Sequence, residues 1–147
     1  MISSVLVAVD GSRAARKAIA IASEIVKAAN GTVHLVHVVS EPQLPEALQD
    51  FIDAEKLVGP PEKILHQIAS HVLDDAVRRA KDSGAPNVTT EIMTGPVART
   101  IVAYAKHRNT DMIAIGTRGG NDLDEILLGG VSRRVSALAP CSCLLVK

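Results

Sequence analysis

The sequence predicts a three-layer α/β protein in which helices cover both faces of a five-stranded parallel sheet. Short aliphatic runs alternate with amphipathic stretches, and turn or capping residues separate them. The runs are apolar on both faces, which is typical of strands in a parallel sheet, because crossover helices cover each side. We expect one domain over 1–147, long enough for a core without disulfides or metals.

The first half of the chain predicts two strands and two helices. Residues 5–9 form an apolar run that ends at Asp10-Gly11-Ser12, and Ser12 is the expected N-cap of a helix ending near Asn30-Gly31. Residues 32–39 are mostly β-branched and predict the second strand. Prolines punctuate residues 40–60, which we expect to be irregular and mobile, with a short helix over 46–55.

The second half continues the alternation of strands and helices. Pro61 suits the first turn of a long helix that ends near Ser83, before Gly84. Strands are predicted over 88–93, 111–115 and 142–146. Helices are predicted from Gly95-Pro96 to about His107 and over 129–138, the second of them preceded by a glycine-rich loop.

Composition excludes several classes of function. Sixteen Lys and Arg balance sixteen Asp and Glu, and the aromatic residues are Phe51 and Tyr104. Nucleic-acid binders usually show a basic excess or aromatic stacking platforms, so we expect no nucleic-acid partner. No apolar run approaches the roughly 20 residues of a membrane span, and the first residues lack a signal-peptide pattern. We therefore expect a cytoplasmic protein without a membrane partner.

Two segments that follow predicted strands carry ligand-binding features. One is Asp10-Gly11-Ser12, and the other runs from Gly116 to Gly120 and on to Gly129-Gly130-Val131-Ser132. Ligands of open parallel sheets bind beyond the carboxyl ends of strands. Glycines let backbone N–H groups approach phosphate oxygens, and a helix N-terminus adds partial positive charge. A purely structural use of these glycines, as strand exit, turn and cap, is the alternative.

These two segments resemble the universal stress protein family. The resemblance lies in Val-Ala-Val-Asp-Gly-Ser at 7–12 and in Gly116-x2-Gly119-x9-Gly129, followed by a helix, Ala-Pro-Cys and an apolar strand. His37-Val38 at the end of the second strand is a further similarity. The resemblance covers essentially the whole chain, and it implies a Rossmann-like α/β/α fold with strand order 3-2-1-4-5.

The same resemblance implies a site for ATP, with or without Mg²⁺, where the first and fourth strands meet. Asp10 would contact the ribose or adenine, and the backbone of Val38 would contact the adenine edge. Main-chain donors of the second segment would hold the phosphates. The implied site residues are Ala8, Val9, Asp10, Val38, Ile115, Gly116, Arg118, Gly119, Gly129, Gly130, Val131 and Ser132.

Two departures from the family pattern leave alternatives open. Gly130 stands where the nucleotide-binding pattern has Ser or Thr, so one hydroxyl donor, worth roughly 0.5–1.5 kcal/mol net, is missing. Acidic residues within 122–125 would repel a triphosphate unless they point outward or Mg²⁺ intervenes. The main interpretation is an ATP-binding stress-response regulator acting on an unidentified protein partner. The alternatives are an interaction module without nucleotide, or a binder of AMP or a cyclic nucleotide.

No catalytic residue or metal site is expected. No serine lies in a Gly-x-Ser-x-Gly elbow, and no carboxylate pair suits general acid–base chemistry. His34 and His37 face opposite sides of a strand, and His66 and His71 lack the i, i+4 spacing of zinc ligands. We expect a binding protein with at most slow, Mg²⁺-dependent ATP hydrolysis.

The C-terminal strand predicts features of assembly and redox state. Cys141 and Cys143 lie about 6.6 Å apart along the strand, which is too far for a disulfide, so we expect buried, reduced thiols. In the implied strand order this apolar strand is an edge, and an unpaired edge invites another chain. By resemblance, a homodimer forms through antiparallel pairing of Ser142 to Val146 with its twin.

Overall fold

The computed structural model describes residues 1–40, 61–117 and 130–147. Within these ranges strands and helices alternate in the predicted order. Their bounds are β1 Ser4–Ala8, α1 Arg13–Lys27, β2 Thr32–Val39, α2 Pro61–Asp82, β3 Asn87–Thr94, α3 Val97–Arg108, β4 Met112–Gly116, α4 Gly130–Leu138 and β5 Ser142–Val146. The short helix predicted over 46–55 and the mobility expected of 40–60 fall outside the described residues, apart from residue 40.

The strands form one parallel sheet in the order β3-β2-β1-β4-β5, as the resemblance implied. From β1 the chain winds outward to β2 and β3, and then returns to the other side of β1 to add β4 and β5. The winding therefore reverses between β1 and β4, which is where open α/β sheets form a crevice at the carboxyl ends of their strands.

Two aliphatic clusters fill the space between the sheet and its helices. On one face α1 and α2 pack on residues such as Val5, Val33 and Leu35. On the other face residues of α3 and α4 pack on Leu6, Val36 and neighbouring side chains. Strand alternation sends successive residues to opposite clusters, so both faces are apolar and the three-layer fold is confirmed.

The local signals that delimit α1 act as predicted. Ser12 is the N-cap in an extended conformation, and its Oγ accepts a hydrogen bond from Ala15 N at 3.2 Å. After the helix, Asn30 takes a left-handed conformation with φ of 50°. These signals place the start of α1 directly after β1, so its N-terminus lies at the carboxyl edge of the sheet.

The two cysteines depart from the expectation of full burial. Cys141 and Cys143 are free and half-buried, because β5 is an edge strand that only one neighbouring strand covers among the described residues. Burial and the neighbouring Cys141 raise the pKa of the Cys143 thiol above its usual value. In the described ranges, no helix is long and apolar enough to cross a membrane.

Candidate functional site

A cavity of about 380 Å³ opens beyond the carboxyl ends of β1, β2 and β4. Most of the residues selected from the sequence lie around it: Ala8, Val9, Asp10, Val38, Ile115, Gly116, Gly130, Val131 and Ser132. Arg118, Gly119 and Gly129 fall outside the described residues. The lining also includes Ser12, His37 and Thr117, which lie in the predicted motifs but were not selected as site residues. It further includes residues that sequence reasoning missed: Ala15, Val36, Val97 and Ile101.

The inner wall of the cavity is apolar. Val36 and Ile101 have no solvent-exposed surface, and Ile115 is 4% exposed. Val38 and Val97 extend this wall and pack against the same core cluster. Such a surface suits a flat ring held by dispersion contacts, with polar groups at its edge to fix orientation.

The upper edge of the wall carries open backbone groups at Val38. β1 pairs with β2 only as far as Ala8 opposite Val36, and the last rung joins Val9 N–H to Val36 O at 2.9 Å. Hydrogen bonds in a parallel pair are evenly spaced, so the next rung would join Val38 N–H to Val9 O. Among the described residues no backbone bond joins Val38 to β1 or to the turn after it. One donor and one acceptor of Val38 therefore border the cavity without a strand partner.

A tight turn follows β1 at the mouth of the cavity. Asp10 Oδ1 accepts a hydrogen bond from Ser12 N at 2.9 Å, and Gly11 has a φ of +82°. The left-handed conformation of Gly11 turns the chain away from β2 and into α1. The exposed Asp10 is left at the mouth of the cavity, where its second carboxylate oxygen can accept a further hydrogen bond.

Helix N-termini give the cavity a positive electrostatic character. Residues in or before the first turns of α1, α3 and α4 line it, and none of these first turns contains an acidic residue. By contrast, α2 has Glu62 in its first turn and contributes no lining residue. Helix N-termini carry partial positive charge and unpaired N–H groups, so this arrangement favours an anionic ligand.

Gly116 and Gly130 differ in their surroundings. A Cβ on Gly116 would lie 2.8 Å from Ala14 Cβ and 3.0 Å from Ala15 N, so glycine is required for the close approach of β4 to α1. At Gly130 no described atom lies within 4 Å of the position that a Cβ would take. Gly116 therefore has a packing role whatever its contact with ligand, whereas Gly130 can accept a side chain.

The end of β4 is fixed against β5. Thr117 is 4% exposed, and both its N–H and its Oγ1 donate to Val146 O, at 2.8 and 3.3 Å. Ser132 is 1% exposed and lies across the cavity in the first turn of α4. This side of the cavity is therefore formed by a residue bonded into the sheet and by a buried residue of a helix.

One cluster of charged side chains lies away from the cavity on α2. Arg78 and Arg79 pair with Asp75 on the surface of α2, and these hydrogen bonds, that from Arg79 first, lower the pKa of the Asp75 carboxyl. His34 and His37 lie on opposite sheet faces, as predicted. In the described parts of the chain, no group of three or more His, Cys, Asp or Glu is arranged to hold a metal ion.

Comparison with known proteins agrees with this geometry. The profile of the universal stress protein family matches residues 1–147. This chain belongs to that family. Universal stress protein YxiE of Bacillus subtilis is 30% identical over 154 aligned positions, which cover 100% of both chains. The solved structure of universal stress protein UspA from Lactobacillus plantarum superposes with a TM-score of 0.77 at 28% identity, covering 99% of this chain and 98% of that one.

Three other solved structures share the fold and contain adenine nucleotides. A universal stress protein in complex with cAMP is 21% identical, with a TM-score of 0.73 and coverage of 99% and 97%. The Archaeoglobus fulgidus protein in complex with dAMP is 22% identical, with a TM-score of 0.69 and coverage of 100% of both chains. The Arabidopsis thaliana protein with AMP bound is 22% identical, with a TM-score of 0.67 and coverage of 99% and 91%.

Proposed function

We propose that this universal stress protein binds an adenine nucleotide in the cavity and acts as a stress-response regulator. One observation carries the proposal: the open peptide edge of Val38 and the N-terminus of α4 border the same cavity. The first feature suits a nucleobase and the second suits a phosphate. The cavity thus offers complementary groups to both ends of a nucleotide.

The base half of the proposal follows from donor and acceptor positions. The Watson–Crick edge of adenine has an acceptor at N1 beside a donor at N6. Val38 N–H and Val38 O present the complementary pair, and the wall that includes Val36 and Ile101 supplies a surface for the ring. A base bound there would satisfy peptide groups that otherwise lack a strand partner, which contributes roughly 0.5–1.5 kcal/mol per hydrogen bond.

The phosphate half rests on the first turn of α4. Gly130 and Val131, the first residues of that helix, line the cavity, and the first N–H groups of a helix point toward its N-terminal end, where they suit an anion. Asp10 also lines the cavity, and its carboxylate suits a ribose hydroxyl or a metal-bound phosphate.

ATP is our first candidate and AMP or a cyclic nucleotide our second. The family resemblance favours ATP, for which Mg²⁺ would offset repulsion from the acidic residues within 122–125. The complexes of fold relatives with cAMP, dAMP and AMP favour the second candidate. The deciding measurement is calorimetric titration of ATP, ADP, AMP and cAMP, with and without Mg²⁺.

Gly130 provides a matched pair of variants for this titration. Gly130→Asp puts a carboxylate at the helix N-terminus, where it repels phosphate but favours the helix. We expect it to weaken nucleotide binding at least about tenfold, or ~1.4 kcal/mol, without lowering the melting temperature. Gly130→Asn has nearly the same shape without charge and should bind within about threefold of wild type. Equal affinities for both variants would contradict the phosphate assignment.

A failure of all four nucleotides to bind would favour the alternative of an interaction module. Gly130 and the acidic residues within 122–125 are the features that support that alternative. In either case, the sequence still predicts an unidentified regulatory protein as a partner in the cytoplasm. If no nucleotide binds, the function would have to be established by identifying that partner.

We further infer that the protein forms a homodimer through β5. This strand is an edge of the sheet, and its residues Cys143, Leu144 and Leu145 are only half-buried. Pairing of two β5 strands would satisfy their outer backbone groups and cover these side chains. A monomer in sedimentation experiments at micromolar concentration would contradict this inference.

A further inference from the structure

We propose that His37 is a positioning residue that keeps the peptide edge of Val38 open for the ligand. The relevance to nucleotide binding rests on the proposed function, but the structural effect on Val38 does not. His37 Nδ1 lies 2.7 Å from Val9 O, the carbonyl that the next rung of the β1–β2 ladder would use. The imidazole thus already donates to the carbonyl that Val38 N–H would bind in a longer ladder.

The partner of His37 fixes which ring nitrogen carries hydrogen. A carbonyl oxygen only accepts hydrogen bonds, so Nδ1 must be the donor in this contact. Val9 as a whole is 4% exposed. Without His37 this acceptor would need another donor, because burying an unpaired carbonyl is unfavourable by about 1–3 kcal/mol.

Val38 N–H is the nearest donor by strand register. The preceding rung, Val9 N–H to Val36 O, is already formed, so the next rung in the ladder is Val38 N–H to Val9 O. His37 alternates to the sheet face opposite Val36 and Val38. The ring therefore acts on the base-binding wall through Val9 O, at a sequence separation of 28 residues.

Loss of the imidazole donor should exchange one hydrogen bond for another. Val38 N–H would bond to Val9 O, the sheet would close by one rung, and the edge that faces adenine would lose its donor. The free energy of unfolding would change little, because the number of backbone partners is preserved. Nucleotide affinity and base selectivity would fall, because Val38 N–H would no longer be available to donate to the Watson–Crick edge of adenine.

The test compares His37→Leu with His37→Asn in the ligand-free protein. The Asn Nδ2 atom occupies the same branch position as His Nδ1 and can donate to Val9 O, whereas Leu cannot. We expect amide hydrogen exchange at Val38 to slow at least tenfold in His37→Leu and to stay near wild type in His37→Asn. Should His37→Leu fail to fold, His37→Ala gives the same comparison.

Nucleotide selectivity supplies the second readout. Inosine monophosphate reverses the donor and acceptor of AMP at N1 and position 6, so we expect wild type and His37→Asn to prefer AMP at least tenfold. In His37→Leu this preference should approach one. Unchanged exchange at Val38 in both His37→Leu and His37→Ala would overturn the positioning role. Slowed exchange in a protein that binds no nucleotide would support the positioning role and overturn only the proposed function.

Discussion

The two ends of the sheet are completed in opposite ways. At the amino ends, one carboxylate oxygen of Asp111 accepts hydrogen bonds from Ser3 N at 3.0 Å, Ser3 Oγ at 3.1 Å and Ser4 N at 3.1 Å. At the carboxyl ends, β1 and β2 separate after Val9 and leave the cavity between them. One end is closed by side chains of the chain itself, and the other presents unpaired backbone groups.

Further contacts close the amino end. His34 joins three strands, with Nδ1 2.7 Å from Thr89 Oγ1 and Nε2 3.1 Å from Ser4 Oγ. Burial, and secondarily the charge of Arg108, lower the pKa of His34 below its usual value. Asn87 Nδ2 donates to the carbonyls of Asn30 and Gly31, both at 3.1 Å. These side chains hold neighbouring strands in register.

This difference between the two ends of the sheet predicts that stability and ligand binding depend on different residues. Changes at the amino end should alter the free energy of unfolding and leave ligand affinity intact. Changes at the carboxyl end should alter affinity with little or opposite effect on stability.

The largest expected effect comes from Gly31→Ala at the amino end. A Cβ there would collide with Ser3 O and lie 2.8 Å from Ser3 C, and backbone cannot move aside as a flexible side chain can. We expect the free energy of unfolding in urea to fall by about 2–3 kcal/mol, as overpacking does. Gly130→Ala is the control, since no described atom lies within 4 Å of its Cβ position. Equal loss in both variants would contradict the steric argument.

A smaller loss of stability is expected for Asp111→Asn. Hydrogen bonds from Ser3, and then Ser4, lower the pKa of Asp111 below its ordinary value of 3.8. The unfolded chain therefore binds the proton more readily, so this stabilisation is fully present above about pH 4 and disappears as pH falls through the lowered pKa. We expect a loss of roughly 1–2 kcal/mol at pH 7, since the carboxylate is exposed.

Urea unfolding at pH 7 and pH 3 checks this prediction. The difference between wild type and Asp111→Asn should shrink at the lower pH, while nucleotide affinity at pH 7 stays unchanged. Asp74→Asn, a change at an exposed carboxylate of α2, is the matched control. A constant difference across pH would contradict the proposed role of the ionised carboxylate.

Local patterns predicted the elements, and the family resemblance predicted their order. Ser12 as N-cap and the bounds 142–146 of β5 follow from short-range chemistry, namely capping and an apolar run. Strand order depends on contacts between distant segments, which periodicity does not encode. It came from the two motifs that flank the crevice, because both follow strands that the reversal of winding brings together.

The features that sequence reasoning missed all depend on such distant contacts. The resemblance implied that the Val38 backbone contacts adenine, but not that β2 extends beyond the last residue of β1 and so leaves this backbone open. The bond of His37 to Val9 crosses 28 positions. The steric need for Gly116 depends on Ala14 in α1. The one sequence signal for this contact was a histidine next to Val38 at the end of a strand. The spacing of residues in the sequence could not show that this histidine bonds to Val9.

The smallest predicted effect is a gain of affinity in Gly130→Ser. The nucleotide-binding pattern of the family has Ser or Thr here, and no atom of the described residues lies within 4 Å of the position that a Cβ would take. One added hydroxyl donor contributes roughly 0.5–1.5 kcal/mol, so we expect the dissociation constant of the bound nucleotide to fall about two- to tenfold. Gly130→Ala separates this effect from helix propensity, because both substitutions remove the flexibility of glycine but only serine adds a donor. If alanine and serine tighten binding equally, the gain comes from a stiffer α4, and the first turn of that helix does not contact phosphate through this position.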